Sequence, residues 1–214
     1  FNLEKMKSFK KLGVNRVSFG FQSLHDDILK FLTRWHNSED CINSYYNARE
    51  AGFQNINIDL IFGIPNQSIK QWKKDLNRIV DLDPEHISAY SLTVEQRTPL
   101  HEYVSSNKII MPHEKIDFDM YSYAMDKLNS YNYRQYEISN YSKKNKQCKH
   151  NLHYWRREPY LAFGPSGHGH NNNKRYWNIR NLNKYMESLD SNKLPIDDCE
   201  ILSEENIFNE IILN

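Results

Sequence analysis

Asp59 interrupts an apolar run. In NINIDLIFGIPNQS, residues 55–68, Ile56, Ile58, Leu60 and Phe62 recur at every second position with Ile61 between them, the pattern of a buried strand. A carboxylate there costs several kcal/mol, roughly, unless it is paired or neutral. It can accept hydrogen bonds from ribose hydroxyls, from an ammonium group or from an internal arginine. Gln22 ends an earlier strand on whose alternate positions Ser18, Gly20 and Gln22 are small or polar, which leaves room for a cavity. Its amide can donate and accept, toward a polar ligand or toward a loop backbone. Arg34 and His36 follow in LTRWHNS. That guanidinium suits a ligand carboxylate through paired hydrogen bonds, and equally suits solvent or Asp59.

The elements that must position these residues follow from periodicity. Leu3, Met6, Phe9 and Leu12 repeat at helical spacing and Gly13 ends the run. Strands are expected over 16–21, 55–62 and 87–93, with helices over 26–32, from Ser38 to Glu50, and over 69–81. This alternation predicts a parallel sheet covered by helices, with reactive groups at the C-terminal ends of the strands. Beyond Pro99 the rhythm changes to a helix over 113–131, a strand over 133–138, irregular aromatic sequence to Trp177, and helices over 181–192 and 203–213. His168 and His170 lie in that irregular part, in FGPSGHGHNNN, which reads as a glycine-rich loop.

Composition removes several classes of function. The 214 residues suffice for one large domain, or one domain and part of another. Lys+Arg 28 against Asp+Glu 27 leaves a net charge of +1 without a basic stripe, so nucleic acid is not an expected partner. Cys41, Cys148 and Cys199 are too far apart for a disulfide framework or a metal knuckle, which favours a reducing, cytoplasmic setting. No transmembrane segment or signal-peptide core is evident. The chain opens within an amphipathic pattern and without Met, so a piece of a longer protein is expected.

Four segments carry a resemblance: GVNRVSFGFQSLHDDILKFLTRWHNSED, AGFQNINIDLIFGIPNQS, DPEHISAYSLTVEQRTPL and KHNLHYWRREPYLAFGPSGHG. In this order they resemble the radical S-adenosylmethionine proteins of the oxygen-independent coproporphyrinogen III oxidase-like group, and within it the haem-chaperone branch. The resemblance implies an α/β fold, the second half of a (β/α)6 partial TIM-like barrel over 1–104. A family-specific extension over 105–200 and the start of a further domain over 201–214 would follow, making an α+β C-terminal region. It implies S-adenosylmethionine contacts at Gln22, Arg34, Asp59 and the backbone of Thr93.

The family's [4Fe-4S] cluster is held by CxxxCxxC, a spacing missing here, as is the family's GGTP segment. Both are expected upstream of Phe1. The oxidases resemble NRxQ and HRNFxGY where this chain has TRWHN and HNLHYW. His150, Asn151, Tyr154 and Trp155 fit instead the HNxxYW motif associated with haem binding, in which an imidazole can ligate iron and aromatic rings pack on the macrocycle. Without the family, a histidine among aromatic residues is more often a packed, hydrogen-bonded one. The resemblance therefore implies haem and haem-accepting proteins as partners. Its alternatives are a radical oxidase acting on a porphyrinogen and, more distantly, a barrel hydrolase or isomerase using Asp59 and a histidine.

Overall fold

The computed structural model describes residues 2–213. Apolar alternation produces β1 (Val17–Gln22), β2 (Ile56–Phe62) and β3 (His86–Ser91). Helix α1 (Leu3–Lys11) precedes β1, α2 (Asp26–Phe31) and α3 (Ser38–Glu50) join β1 to β2, and α4 (Ile69–Leu82) joins β2 to β3. As expected, the three strands are parallel and adjacent, with Phe19 opposite Ile58 and Ile58 opposite Ile87. Short helical crossovers leave few other arrangements. β3 ends two residues before the expected boundary, so Thr93 stands in the loop beyond it. Asn37 caps α3 in a reciprocal pair with Asp40, and Ser68 caps α4 with Gln71.

The helix-facing side of the sheet is the core. Phe19, Phe21, Ile56, Ile58, Leu60, Phe62, Ile87 and Ala89 pack with Trp72, Leu76 and Ile79 of α4. After α5 (Pro99–Ser105), the longer α6 (Glu114–Ser130) adds Met120, Ala124 and Leu128 to the same core, and the Trp72 indole donates to the Met120 carbonyl at 2.8 Å. The sheet then continues antiparallel. β5 (Asn140–Ser142) pairs with β3 and β4 (Arg134–Glu137) pairs with β5, giving the order β1-β2-β3-β5-β4. Strands from the region expected to begin an extension thus hydrogen-bond into the sheet of β1, β2 and β3.

The chain divides into two compact units between Gln147 and Cys148. The second contains α7 (Lys149–Trp155), β6 (His168–Asn171), β7 (Lys174–Asn178), α8 (Leu182–Asp190), β8 (Ile196–Ile201) and α9 (Glu204–Leu213). β6, β7 and β8 form an antiparallel sheet. This corrects the expectation of irregular structure up to Trp177. The glycine-rich segment is also no flexible loop, because Gly167 and Gly169 make close approaches possible. A Cβ on Gly169 would collide with the Tyr176 ring across the hairpin. Asn172 turns the hairpin with φ 56°, a conformation asparagine tolerates.

Candidate functional site

On the side of the sheet away from the core, polar residues line up across β1, β2 and β3. Register sets Ser18 opposite Asn57, Gly20 opposite Asp59, Asn57 opposite His86 and Asp59 opposite Ser88. Ser18 Oγ donates to Asp59 Oδ2 at 2.9 Å, and Asn57 Nδ2 reaches Asp59 Oδ1 at 2.6 Å and Ser18 Oγ at 2.7 Å. His86 Nδ1 lies 2.6 Å from Asn57 Oδ1, while its Nε2 lies 2.6 Å from Tyr136 Oη. Burial, with the Arg16 charge adding to it, lowers the His86 pKa to about 3, so this imidazole is neutral.

These contacts revise the reading of Asp59. Its carboxylate is half-buried rather than enclosed, since Ser18 and Gly20 beside it are exposed. Its partners are Ser18 and Asn57, and among the described residues no ion pair joins it to Arg34. One edge of the carboxylate is thus anchored beside an open strand face. Asn57 was legible as a polar position sharing the parity of Asp59, whereas Ser88 and His86 stand on another strand, His86 one residue before its expected start, and only the register brings them alongside.

Gln22 departs from its expected alternation. The β1–β2 register slips between Gly20 and Gln22, which pairs with Leu60 and adopts φ 65°. Its side chain nevertheless folds back over the strand: a Cβ on Gly20 would meet Gln22 Nε2 at 2.7 Å. Gln22 as a residue is 9% exposed, and its amide makes no side-chain hydrogen bond among the described residues and is not among the buried polar atoms left without a partner, so it keeps access to solvent. Arg34 is exposed and lines a depression of about 490 Å³ with Asp26, Trp35, His36 and Asn37, and His36 Nε2 lies 3.4 Å from the Phe21 carbonyl at the end of β1. Thr93 is exposed, one residue past the last strand contact, Leu92 N–H to the Phe62 carbonyl at 2.9 Å. Gln22 is the last residue of its strand and Thr93 follows the end of β3, whereas Asp59 sits mid-strand and Arg34 lines the depression beside His36.

In the second unit, α7 sets His150 and Tyr154 one helical turn apart on one face, their rings meeting edge to face at 5.0 Å. Tyr154 meets Tyr160 at 4.5 Å, and Tyr160 meets His170 at 5.9 Å. The column runs from the exposed imidazole of His150 to the buried one of His170, whose Nε2 has no hydrogen-bond partner. Asn151 and Trp155 occupy the adjoining helix face, Trp155 half-exposed. His168, which alternation puts two residues from His170, is exposed and lies against Trp177 at 6.0 Å. Tyr160 went unremarked in the sequence, where only its aromatic type could have flagged it.

Among the described residues no group of three or more His, Cys, Asp or Glu could hold a metal ion. Cys41 is buried, and desolvation aided by Asp40, Asp26 and Asp75 pushes its thiol up to about 12. The residues present therefore do not fit a [4Fe-4S] cluster. Among the described residues no helix is long and apolar enough to cross a membrane.

Comparison with known proteins gives this geometry its context. Residues 1–79 match the Radical SAM superfamily. The heme chaperone HemW of Bacillus subtilis is 38% identical over 211 residues, covering 98% of this chain and 56% of that protein. Over the matched residues 1–79 the chain belongs to the radical S-adenosylmethionine superfamily. The heme chaperone HemW of Buchnera aphidicola from Acyrthosiphon pisum is 35% identical over 94% of the chain and 52% of that protein. This superfamily member thus spans about half the length of the curated relatives it matches. The solved structure of the radical SAM enzyme coproporphyrinogen III oxidase (HemN) from Escherichia coli covers all of the chain and 52% of its own, at TM-score 0.78 and 19% identity. That likeness concerns the fold, which is a partial radical-SAM barrel. Superfamily membership implies S-adenosylmethionine and an iron–sulfur cluster.

Proposed function

We propose that this chain belongs to a haem chaperone, which binds haem and transfers it to haem-accepting proteins. The observation that carries the reading is the α7 column, in which the exposed His150 imidazole is backed by Tyr154, Tyr160 and the buried His170. An exposed imidazole can ligate iron, and a ring set edge to face against it limits its rotation. Tyr154 and Trp155 offer apolar area to a macrocycle, and Asn151 offers an amide. The unpartnered Nε2 of His170 also suits a region adapted to a ligand rather than to packing alone. Bound haem would supply an iron centre that a side chain such as the His150 imidazole could ligate. The relatives named heme chaperone HemW support this reading over an oxidase.

In the barrel part, we assign S-adenosylmethionine contacts to Gln22, Arg34, Asp59 and the backbone of Thr93. The Gln22 amide, unbonded within the protein and open to solvent, and the open face beside Asp59 fit a polar, hydroxylated ligand. Asp59 accepts from donors of that ligand while Ser18 and Asn57 hold its orientation, and Arg34 meets a carboxylate.

Haem titration of the full-length protein tests the chaperone reading. Haem should bind with a defined Soret band, and His150→Ala should shift that band or lower the occupancy. Cys148→Ala should leave it unchanged unless the neighbouring thiolate is the ligand. With reductant, S-adenosylmethionine and coproporphyrinogen, no carbon dioxide should be released. Decarboxylation at a catalytic rate would replace this reading with that of an oxygen-independent coproporphyrinogen III oxidase, and absence of haem binding would remove the chaperone.

A further inference from the structure

Gln22 is held in a turn that does not sustain itself. The Ser23 N–H donates to the Phe21 carbonyl at 2.8 Å across Gln22, whose φ of 65° makes this a γ-turn of the rare, strained hand. Such a conformation persists only where the surroundings over-determine it. The surroundings here converge on one carboxylate. Asp75 of α4 is 1% exposed, amid the apolar Trp72, Leu76 and Ile79 of the same helix. Its Oδ2 accepts from Ser23 Oγ at 2.6 Å and its Oδ1 from the Leu24 N–H at 3.0 Å. Ser23 Oγ in turn accepts from the His25 N–H at 3.1 Å, and the His25 ring lies 3.6 Å from Oδ1. Three consecutive residues after Gln22 are therefore tied, directly or through Ser23, to a side chain fifty-two positions from Ser23.

A buried carboxylate is a poor device for stability alone, since an apolar side chain could fill the same space without desolvating a charge. What this one supplies is direction. It fixes the segment leaving β1, and with it the backbone geometry that turns the Gln22 amide back over Gly20 toward the face bearing Ser18 and Asp59. We propose that Asp75 is a positioning residue for the S-adenosylmethionine site, acting through Ser23 and Leu24 to hold Gln22 in its ligand-facing conformation. The inference rests on the reading of Gln22 as a ligand contact.

A double-mutant cycle in the full-length, cluster-reconstituted protein tests it, with two readouts: S-adenosylmethionine affinity by calorimetry, and hydrogen exchange of residues 21–25 in the ligand-free protein. Asp75→Asn should weaken affinity about tenfold and raise exchange at the Ser23 and Leu24 amides, with Gln22→Ala weakening affinity by a similar factor. The double variant should bind no more weakly than Gln22→Ala alone, because the carboxylate acts through the residue already removed. Ser23→Thr keeps the hydroxyl and should keep wild-type affinity. Should Asp75→Asn fail to fold, Ser23→Ala takes its place in the cycle, since it removes the hydroxyl's two bonds, to Asp75 and from the His25 N–H, and leaves the carboxylate on Leu24. Additive losses, or a normal affinity for the Asp75 or Ser23 variant beside a weakened Gln22→Ala, would overturn the positioning role alone. An unaltered Gln22→Ala would overturn the ligand reading of Gln22 and the positioning role with it.

Discussion

The guanidinium of Arg49 and the carboxylate of Glu85 meet side by side, Nη1 to Oε2 at 2.9 Å and Nη2 to Oε1 at 3.0 Å. Arg49 also donates to Tyr45 Oη at 2.8 Å and to the carbonyls of Phe53 and Asp83 at 3.2 and 3.0 Å. Glu85 Oε2 takes the N–H of Ile56, the first residue of β2, at 2.9 Å. One fork thereby joins the end of α3 to the starts of β2 and β3. Arg49→Lys keeps the charge and loses the fork, so urea unfolding should report a loss of about 2 kcal/mol. A loss below about 0.5 kcal/mol would rank the pair with ordinary surface ion pairs.

Asp59→Ala separates ligand binding from support of the strand face. Asn57 and Ser18 keep their own 2.7 Å contact when the carboxylate is gone. The melting temperature of the full-length protein should therefore move by only a few degrees, roughly, while S-adenosylmethionine affinity falls about tenfold or more. Unchanged affinity in a folded variant would assign Asp59 to structure.

His86 makes the fold acid-sensitive. Its pKa falls from 6.5 to about 3 on folding, through burial and the nearby Arg16, with Asn57 and Tyr136 on its two ring nitrogens. Between those two values the unfolded chain binds more protons, so this group's contribution is full above pH 6.5 and is lost as pH falls toward about 3. Urea midpoints measured from pH 7 down to about 4 should decline less steeply for His86→Gln than for the wild type. Parallel declines would mean that other groups carry the acid response.

The cysteines should differ in reactivity. Cys199 is exposed and Cys148 partly so, whereas Cys41 is buried with its thiol pushed up to about 12. Iodoacetamide near pH 8 should label Cys199 first and leave Cys41 unmodified until denaturant is added, as peptide mass mapping would detect. Early labelling of Cys41 would show that α3 opens readily from the sheet.

Much of the first unit was legible because its signals are local and repeated. Ile56, Ile58, Leu60 and Phe62 mark a strand without reference to any partner, and strands alternating with helices leave the parallel order of β1, β2 and β3 as the economical arrangement. The stretch around residues 139–178 was not legible, since its elements are short and held from afar. β5 has three residues and is specified by pairing with β3 more than fifty positions earlier, and β6 depends on Gly169 admitting the Tyr176 ring.

The sequence by itself determined the α/β alternation, the superfamily resemblance, and the identity and parity of Asp59. Only the tertiary structure decided how open the face around Asp59 is, that Ser18 and Asn57 rather than Arg34 are its partners, and that Gln22 leaves the strand register in a γ-turn. The division has a physical cause. Periodicity records which way a side chain points along its own backbone, and that is set within a few residues. Solvent access, hydrogen-bond partners and the upkeep of a strained turn depend on groups such as Asp75, which meets Ser23 only after the β1-to-β2 and β2-to-β3 connections have closed.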